Sequence, residues 1–328
     1  MKYVYVLTSS PTDTYYEQFF LSTVSMRMYN PDADVVVLFD KKTKKGLTGK
    51  RAEYEKYISE IKVIAIPDEY NQKEASRWIK TSIRKYITED FLFIDCDTVI
   101  TEKLAPEFPF EIKIGAVLDT HVNLSNHHLK DYFQRSDSQI GFDASFKQEN
   151  HYNGGLIFCR DCVEGDLFFE KWHELWLKGR EKGNVQDMPS LNQADHELNG
   201  IITELGGEWN CQISHNGLPF LYNAKIIHYY ATSLISFTPP YLPASENTLS
   251  SIRENGVITP EIIKLLEHPK TAFEQYTRIV ADRGVIDAFD SSLFSKIIWL
   301  RKKHPILFQK LNTFMYHLTK SVKRLFRK

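Results

Sequence analysis

The sequence predicts an α/β fold, a mainly parallel mixed sheet with helices on both faces, continued by a helical C-terminal extension. Three features carry that prediction. Nearly uninterrupted apolar runs recur at Tyr3–Leu7, Val35–Phe39, Lys62–Ile66 and Phe91–Ile94. Strands covered on both faces read this way, whereas a half-exposed sheet would alternate. Helix-like segments separate the runs, which fits parallel crossovers rather than hairpins. Polar residues close the first, second and fourth runs at their carboxyl ends, where ligands gather in such sheets.

In order, the first strand ends in Thr8-Ser9-Ser10, and an amphipathic stretch from about Tyr15 to Met28 leads to the second, which ends at Asp40. A charged helix is expected near Arg51–Glu60, before a third strand closed by Pro67. Asn71–Ile87 reads as a helix, with Ile79, Ile83 and Ile87 spaced i, i+4, i+8 on its apolar face. Beyond the fourth strand the alternation weakens. Ile112–Leu118 and Leu156–Phe158 read as strands, the second following a turn at Asn153-Gly154-Gly155. Helices are expected near Asp166–Lys178 and Leu191–Leu205, and a last strand at Lys225–Ile227 runs into His228. Residues 232–249, rich in Ser, Thr and Pro, read as a linker, and 250–290 as helical. The chain therefore divides into a domain at 1–235, a linker and helical extension at 236–294, and a basic tail at 295–328.

Composition narrows the function. The 328 residues are 42% apolar and 13% aromatic, enough for a large core and against disorder. A net charge of −1 conceals a division: Ser295–Lys328 holds ten Lys/Arg and no acid, leaving 31 basic and 42 acidic residues before it. An acidic body argues against nucleic-acid binding, while the tail could seek anionic surfaces. Four cysteines make no disulfide framework in a chain this long, and Cys159 and Cys162 lack the partners of a zinc site. The opening apolar run is too short for a signal peptide, and no stretch approaches roughly 18 uncharged apolar residues. A cytoplasmic location is expected.

The chemistry centres on Asp95-Cys96-Asp97, directly after the fourth strand. Two carboxylates one residue apart at a strand end can converge on a hard divalent cation. Such a cation could neutralise a departing diphosphate. Two enzyme classes carry the pair in this setting. Asp95-Cys96-Asp97-Thr98-Val99 resembles the signature of haloacid-dehalogenase-like phosphatases, but there the motif follows the first strand. Their downstream acidic pair also has no clear counterpart, since Gly165-Asp166 lacks a second aspartate. That reading stays as the alternative.

Over about residues 1–232 the chain resembles glycosyltransferase family 8, which implies a GT-A fold. Thr8-Ser9-Ser10 looks like the family's nucleotide-cradling turn, and Asp40 and Cys96 stand at neighbouring strand ends. Ser76–Lys80 looks like the helix that brings basic residues, here Arg77 and Lys80, to the donor diphosphate. Asn153, Gly154 and Gly155 are similar to the family's Asn-x-Gly segment at the donor sugar. Asn192-Gln193 sits where the family has Asp-Gln, which implies that Gln193 faces the reactive side of the sugar. Ile226–Tyr229 is similar to the strand that supplies a histidine ligand, so the resemblance implies a metal site of Asp95, Asp97 and His228. Two carboxylates and an imidazole suit Mn²⁺ better than Mg²⁺. The resemblance further implies a UDP-hexose donor, a glycan or glycolipid acceptor and retention of anomeric configuration. A non-catalytic, sugar-binding relic of the same fold is the other alternative.

Two departures stand out. Asn192 replaces a carboxylate; Asp195 could restore the charge, although on a helix it lies about 200° from Gln193. After His228 the family's phosphate-binding lysine is missing, for the chain continues Ala231-Thr232-Ser233. Asp119, after its strand, is a further substrate-contact candidate. In the tail, Leu307, Leu311, Phe314, Leu318, Val322 and Leu325 step by three or four to form one apolar stripe among basic residues. That is the pattern of a helix lying on anionic lipid, which would make the chain peripheral on the cytoplasmic face of the membrane.

Overall fold

β1 (Lys2–Leu7), β2 (Val35–Asp40), β3 (Glu60–Ile64) and β4 (Phe91–Ile94) pair in parallel, as the apolar runs require. β7 (Tyr152–Cys159) lies antiparallel between β4 and β6 (Ile114–Leu118), and β8 (Ile202–Glu204) closes the edge parallel to β6. The resulting order is β3-β2-β1-β4-β7-β6-β8, with β7 alone reversed. A smaller sheet sets β10 (Ile226–His228) between β5 (Thr98–Ile100) and β9 (Cys211–Gln212). This computed structural model describes residues 1–104, 108–230, 243–270, 284, 287–288 and 291–325.

Because successive strand residues point to opposite faces, each run feeds two cores. Tyr3, Tyr5, Leu7, Val35, Val37, Phe39, Leu92 and Ile94 face one cluster, with α1 (Tyr15–Tyr29) packed over it. Val4, Val6, Val36, Leu38, Phe91 and Phe93 face the other, under α3 (Gln72–Thr81), α6 (Val163–Glu181) and α7 (Met188–Glu197). Each fully buried side chain of this size contributes about 1.5–3 kcal/mol. α3 begins in a capping box formed by Asn71 and Glu74, a device that stabilises a helix by about 1 kcal/mol.

Several boundaries differ from expectation, each for a local reason. The helix expected near Arg51–Glu60 is displaced to α2 (Lys41–Gly46), because Asp40 accepts from the N–H groups of Lys42 and Thr43 and starts it at the strand end. Two 3-10 turns, Gly49–Arg51 and Glu53–Tyr57, follow, and Glu60 already opens β3. Asn153-Gly154-Gly155 is not a turn but the start of β7, held by Asp95 N–H donating to the Gly155 carbonyl at 2.8 Å. α7 stops before Asn199 and Gly200, whose φ values of 59° and 75° turn the chain into β8. α4 (Lys130–Ile140) and the short α5 (Ala144–Lys147) fill the connection before β7.

Part of the expected extension packs on the body. α8 (Glu246–Asn255) and α9 (Pro260–Glu267) put Leu249, Ile252, Ile262 and Leu266 into the α1-side core. Arg253 pairs with Glu17 at 3.1 Å, and the Tyr29 hydroxyl donates to the Leu266 carbonyl at 2.7 Å. The linker reading of 232–242 and the helical reading of 271–283 lie outside the described residues. The tail forms two helices, α10 (Ser292–Lys303) and α11 (Pro305–Leu325), divided where Pro305 cannot continue the hydrogen-bond ladder. Leu293, Ile306 and Phe314 are more than 60% exposed there. The side chains of Leu318, Val322 and Leu325 lie outside the described residues.

Candidate active site

Strand register builds one wall of a cleft. β4 delivers Asp95 opposite Gly155 of β7, and β5 starts at Thr98, so the Asp95-Cys96-Asp97 turn spans the gap between two sheets. Thr98 pins that turn by donating its hydroxyl to the Asp95 carbonyl at 2.8 Å. β10 pairs His228 with Thr98, and Tyr229 N–H donates to the Asp97 carbonyl at 2.9 Å. His228 Nε2 therefore stands 3.1 Å from Asp97 Oδ1. One donor atom from each of Asp95, Asp97 and His228 lies within 4.8 Å of the others, a spacing one divalent cation can span. Burial alone would raise the Asp97 carboxyl and lower the His228 imidazole. Their mutual charge and hydrogen bond outweigh it, holding Asp97 low and His228 high.

The imidazole is closely fitted. Its Nδ1 is 3.0 Å from Asn210 Oδ1, which leaves Nε2 as the ligand atom, so the donor set fits a cation. The Tyr230 ring stacks on it at 4.2 Å between centroids, from a residue with φ of 52°. Gly155 is required on the other side, because a Cβ there would lie 2.4 Å from His228 Cε1. Gly154 similarly leaves room for the Asp187 and Lys80 side chains, which a Cβ would meet at 3.2 and 3.3 Å.

Helices build the opposite wall. Lys80, only 2% exposed, sits 2.7 Å from Asp187 Oδ2 and 3.4 Å from Asp95 Oδ1. Arg77 Nε lies 2.9 Å from Asp187 Oδ1. Burial would raise the Asp187 carboxyl, but the charges of Arg77 and Lys80 hold it well below the usual carboxylate range. The two walls enclose about 350 Å³, into which Tyr132, Phe133, Gln186, Met188 and Pro189 also project. A second cavity of about 360 Å³ adjoins it, sharing Tyr132, Ser136 and Gln186 and adding Arg135, Gln139 and Lys182.

Eight expected residues thus meet in one cleft: Arg77, Lys80, Asp95, Asp97, Asn153, Gly154, Gly155 and His228. Others do not reach it. Asn192 exchanges hydrogen bonds with the Tyr152 backbone at 2.7 and 3.1 Å, pinning α7 to β7. Gln193 accepts from the Asp143 and Ala144 N–H groups at 3.0 Å, and Asp195 accepts from Ile202 N–H at 2.8 Å. All three are therefore spent on holding backbone. Asp40 caps α2. The Cys96 thiol turns from the cleft to donate to the Val6 carbonyl at 3.3 Å. Thr8 donates to the Gln72 carbonyl at the start of α3, and Asp13 accepts from the hydroxyls of Ser9 and Ser10, so these groups already have protein partners. Arg84, read as a solvated member of the basic stripe, is instead buried on Asp166 and the Thr88 carbonyl.

Sequence reasoning missed Asp187 and Asn210. Asp187 carries a usable signal, since an acidic residue two before Pro189 marks a helix start, and helix starts cluster at the carboxyl end of such sheets. Asn210 carries none, for it is the last residue of a 3-10 turn, directly before a two-residue strand.

The family model described as Glycosyl transferase family 8 matches residues 55–233, more than half of the chain. No curated protein matches it in sequence. Among solved structures, the WbbM bifunctional glycosyltransferase is 16% identical over 81% of this chain, at a TM-score of 0.50. This chain covers 51% of WbbM, about half its length. An active-site mutant of LgtC is 15% identical, with 81% of this chain and 100% of that one covered and a TM-score of 0.50. Mouse xyloside xylosyltransferase 1 is 12% identical over 69% of this chain and 96% of its own, with a TM-score of 0.45. At such identities the two likenesses at a TM-score of 0.50 speak for the fold alone.

Proposed function

The chain belongs to glycosyl transferase family 8 and has a GT-A fold, and from that premise we propose a metal-dependent, retaining transferase moving a hexose from a UDP-sugar to a glycan or glycolipid acceptor. One observation carries the proposal. A three-donor cation cluster shares its cleft with a buried lysine and an arginine. The donor's diphosphate is the group that would engage both at once.

A bound divalent cation, Mn²⁺ or Mg²⁺, would supply charge neutralisation for the departing diphosphate. The chain's own residues would do the rest. Lys80 and Arg77, released in part from Asp187, are the groups able to make charge-assisted hydrogen bonds to phosphate oxygens. Asp187, ionised at neutral pH, would face the sugar and oppose the positive charge that develops as UDP leaves. It takes the role first expected of Asn192, Gln193 and Asp195. The acceptor hydroxyl would enter from the adjoining cavity, where Tyr132 offers a half-exposed ring for a sugar face.

The tail extends the reading to a membrane surface. No described helix is long and apolar enough to cross a bilayer. α10 and α11 instead expose Leu293, Ile297, Trp299, Ile306, Phe314 and Met315 in a segment without an acidic residue. Ser295 donates to Asn216 at 2.8 Å, so the tail starts against the body.

Incubation with Mn²⁺ and UDP-glucose or UDP-galactose should release UDP, and Asp97→Asn should slow that release on the order of 10²–10³-fold. Unchanged release by Asp97→Asn would remove the metal assignment. Hydrolysis of phosphate esters through an aspartyl-phosphate would return the phosphatase alternative. Donor binding without UDP release would leave a non-catalytic sugar-binding protein.

A further inference from the structure

We propose that the cavity beside the donor cleft selects an acceptor sugar that carries an anionic group, a carboxylate or a phosphate ester, held by Arg135 and Lys182. The inference deepens the transferase reading and rests on it, since the neighbouring cleft must be the donor's.

Helical periodicity lines one side of the cavity. Tyr132, Arg135, Ser136 and Gln139 stand at i, i+3, i+4 and i+7 along α4, so they share the face turned to it. The connection from α6 to α7 lines the other side, and it is fixed before any ligand arrives. The indoles of Trp172 and Trp176 donate to the carbonyls of Asp187 and Val185 at 3.1 and 3.2 Å. Asn184 donates to the Ser136 hydroxyl at 2.8 Å and accepts from Gln186 N–H at 3.0 Å. Lys182 donates to the Ile140 carbonyl at 2.8 Å and so ties the end of α6 to the end of α4. The space left between is about 360 Å³, within the range of small-molecule sites.

Charge decides what such a space would take. Among the described residues no Asp or Glu lines it, although the chain before residue 295 has 42 acidic residues against 31 basic ones. Arg135 makes no hydrogen bond or ion pair among the described residues, so its guanidinium is free to engage a ligand. Lys182 spends one of its three hydrogens on Ile140 and meets no described carboxylate. Arg180, two residues earlier, is by contrast paired with Glu74 at 2.8 Å. Two cations in one cavity without a carboxylate repel each other, and an oxyanion between them relieves that repulsion. A concave site of one sign also concentrates ligands of the other.

The position suits an acceptor. The cavity meets the donor cleft at Tyr132, Ser136 and Gln186, so a sugar anchored at Arg135 and Lys182 can extend a hydroxyl toward the donor. Tyr132, 51% exposed, offers its ring to that sugar's face. Donor diphosphate and acceptor anion then fall to separate cation pairs, Arg77 with Lys80 in one space and Arg135 with Lys182 in the other.

Calorimetric titration of the full chain, loaded with Mn²⁺ and UDP to occupy the donor cleft, tests this. The probes are methyl glucuronide, methyl glucoside 6-phosphate, uncharged methyl glucoside and inorganic phosphate. At least one anionic sugar should bind roughly 10- to 100-fold tighter than methyl glucoside, and which one does separates carboxylate from phosphate. Arg135→Gln should bring that sugar down to the level of methyl glucoside, and Arg135→Lys should keep most of the preference. Lys182→Met should weaken the anionic sugar alone; if that variant does not fold, the Arg135 pair decides. Several results would overturn the inference: methyl glucoside binding as tightly as both charged sugars, neither charged sugar binding, or a preference that survives Arg135→Gln. Inorganic phosphate binding as tightly as the preferred sugar would do so too, because a bare anion site is no acceptor site. A chain that binds no UDP would instead end the donor reading, while the same sugars, titrated without UDP against wild type and Arg135→Gln, still judge the cavity.

Discussion

The two walls of the cleft are made by different means. The wall carrying Asp95, Asp97, Gly155 and His228 is set by strand register, with backbone hydrogen bonds fixing each residue within one position of its partner. The wall carrying Arg77, Lys80 and Asp187 is set by side chains reaching between α3 and the start of α7. Ladder geometry tolerates no slip, because moving a strand by one residue reverses every side chain. Ion pairs across helices tolerate adjustment, at the cost of burying charge. The first wall should therefore behave as a rigid ligand set, and the second as a set of groups that can exchange one partner for another when a phosphate arrives.

The largest expected effect lies on the helix wall. Lys80→Met or Asp187→Leu alone strands a buried charge and should cost about 3–5 kcal/mol in denaturant unfolding, while the double variant should recover most of it. Neither single variant nor the double should retain transfer. A double variant with normal turnover would mean that the pair is structural only, and the contrast between the walls would disappear.

A smaller effect is expected on the strand wall. Gly155→Ala drives a methyl against His228 and should cost about 1–3 kcal/mol, with Mn²⁺ affinity falling more than the melting temperature suggests. Equal metal affinity in Gly155→Ala would show that this wall adapts as freely as the other. The smallest effect is expected far from both. A chain ending at Asp290 should release UDP at the full-length rate yet lose flotation with anionic vesicles; equal flotation would end the membrane reading.

How much of this was legible in the sequence follows the same division. β1, β2 and β4 were readable because burial writes them as apolar runs, whereas in the edge strand β3 only Ile64 is buried and the strand begins two residues before the run that was read. Asp95, Asp97 and His228 were readable because they stand at strand ends. Arg77 and Lys80 were readable as a helical stripe. Asp187 was readable only as a helix start, because Pro189 marks the helix but nothing announces which carboxylate two cations will share. The same blindness placed Gln193 at the sugar, when its amide is used on the Asp143 and Ala144 backbone. It also made a turn of Asn153-Gly154-Gly155, although here the glycines serve close packing inside a strand. Polar residues read as ligands prove to be caps or backbone anchors wherever a neighbouring N–H claims them first, as at Asp40.

The central claim is that Asp95, Asp97 and His228 hold the cation that UDP engages. Anomalous diffraction from a crystal grown with Mn²⁺ and UDP tests it most directly. The account predicts one manganese peak within bonding distance of Asp95, Asp97 and His228 Nε2, bridged to both phosphates of UDP. A peak elsewhere, or UDP bound in this cleft with no manganese beside those three residues, would contradict it.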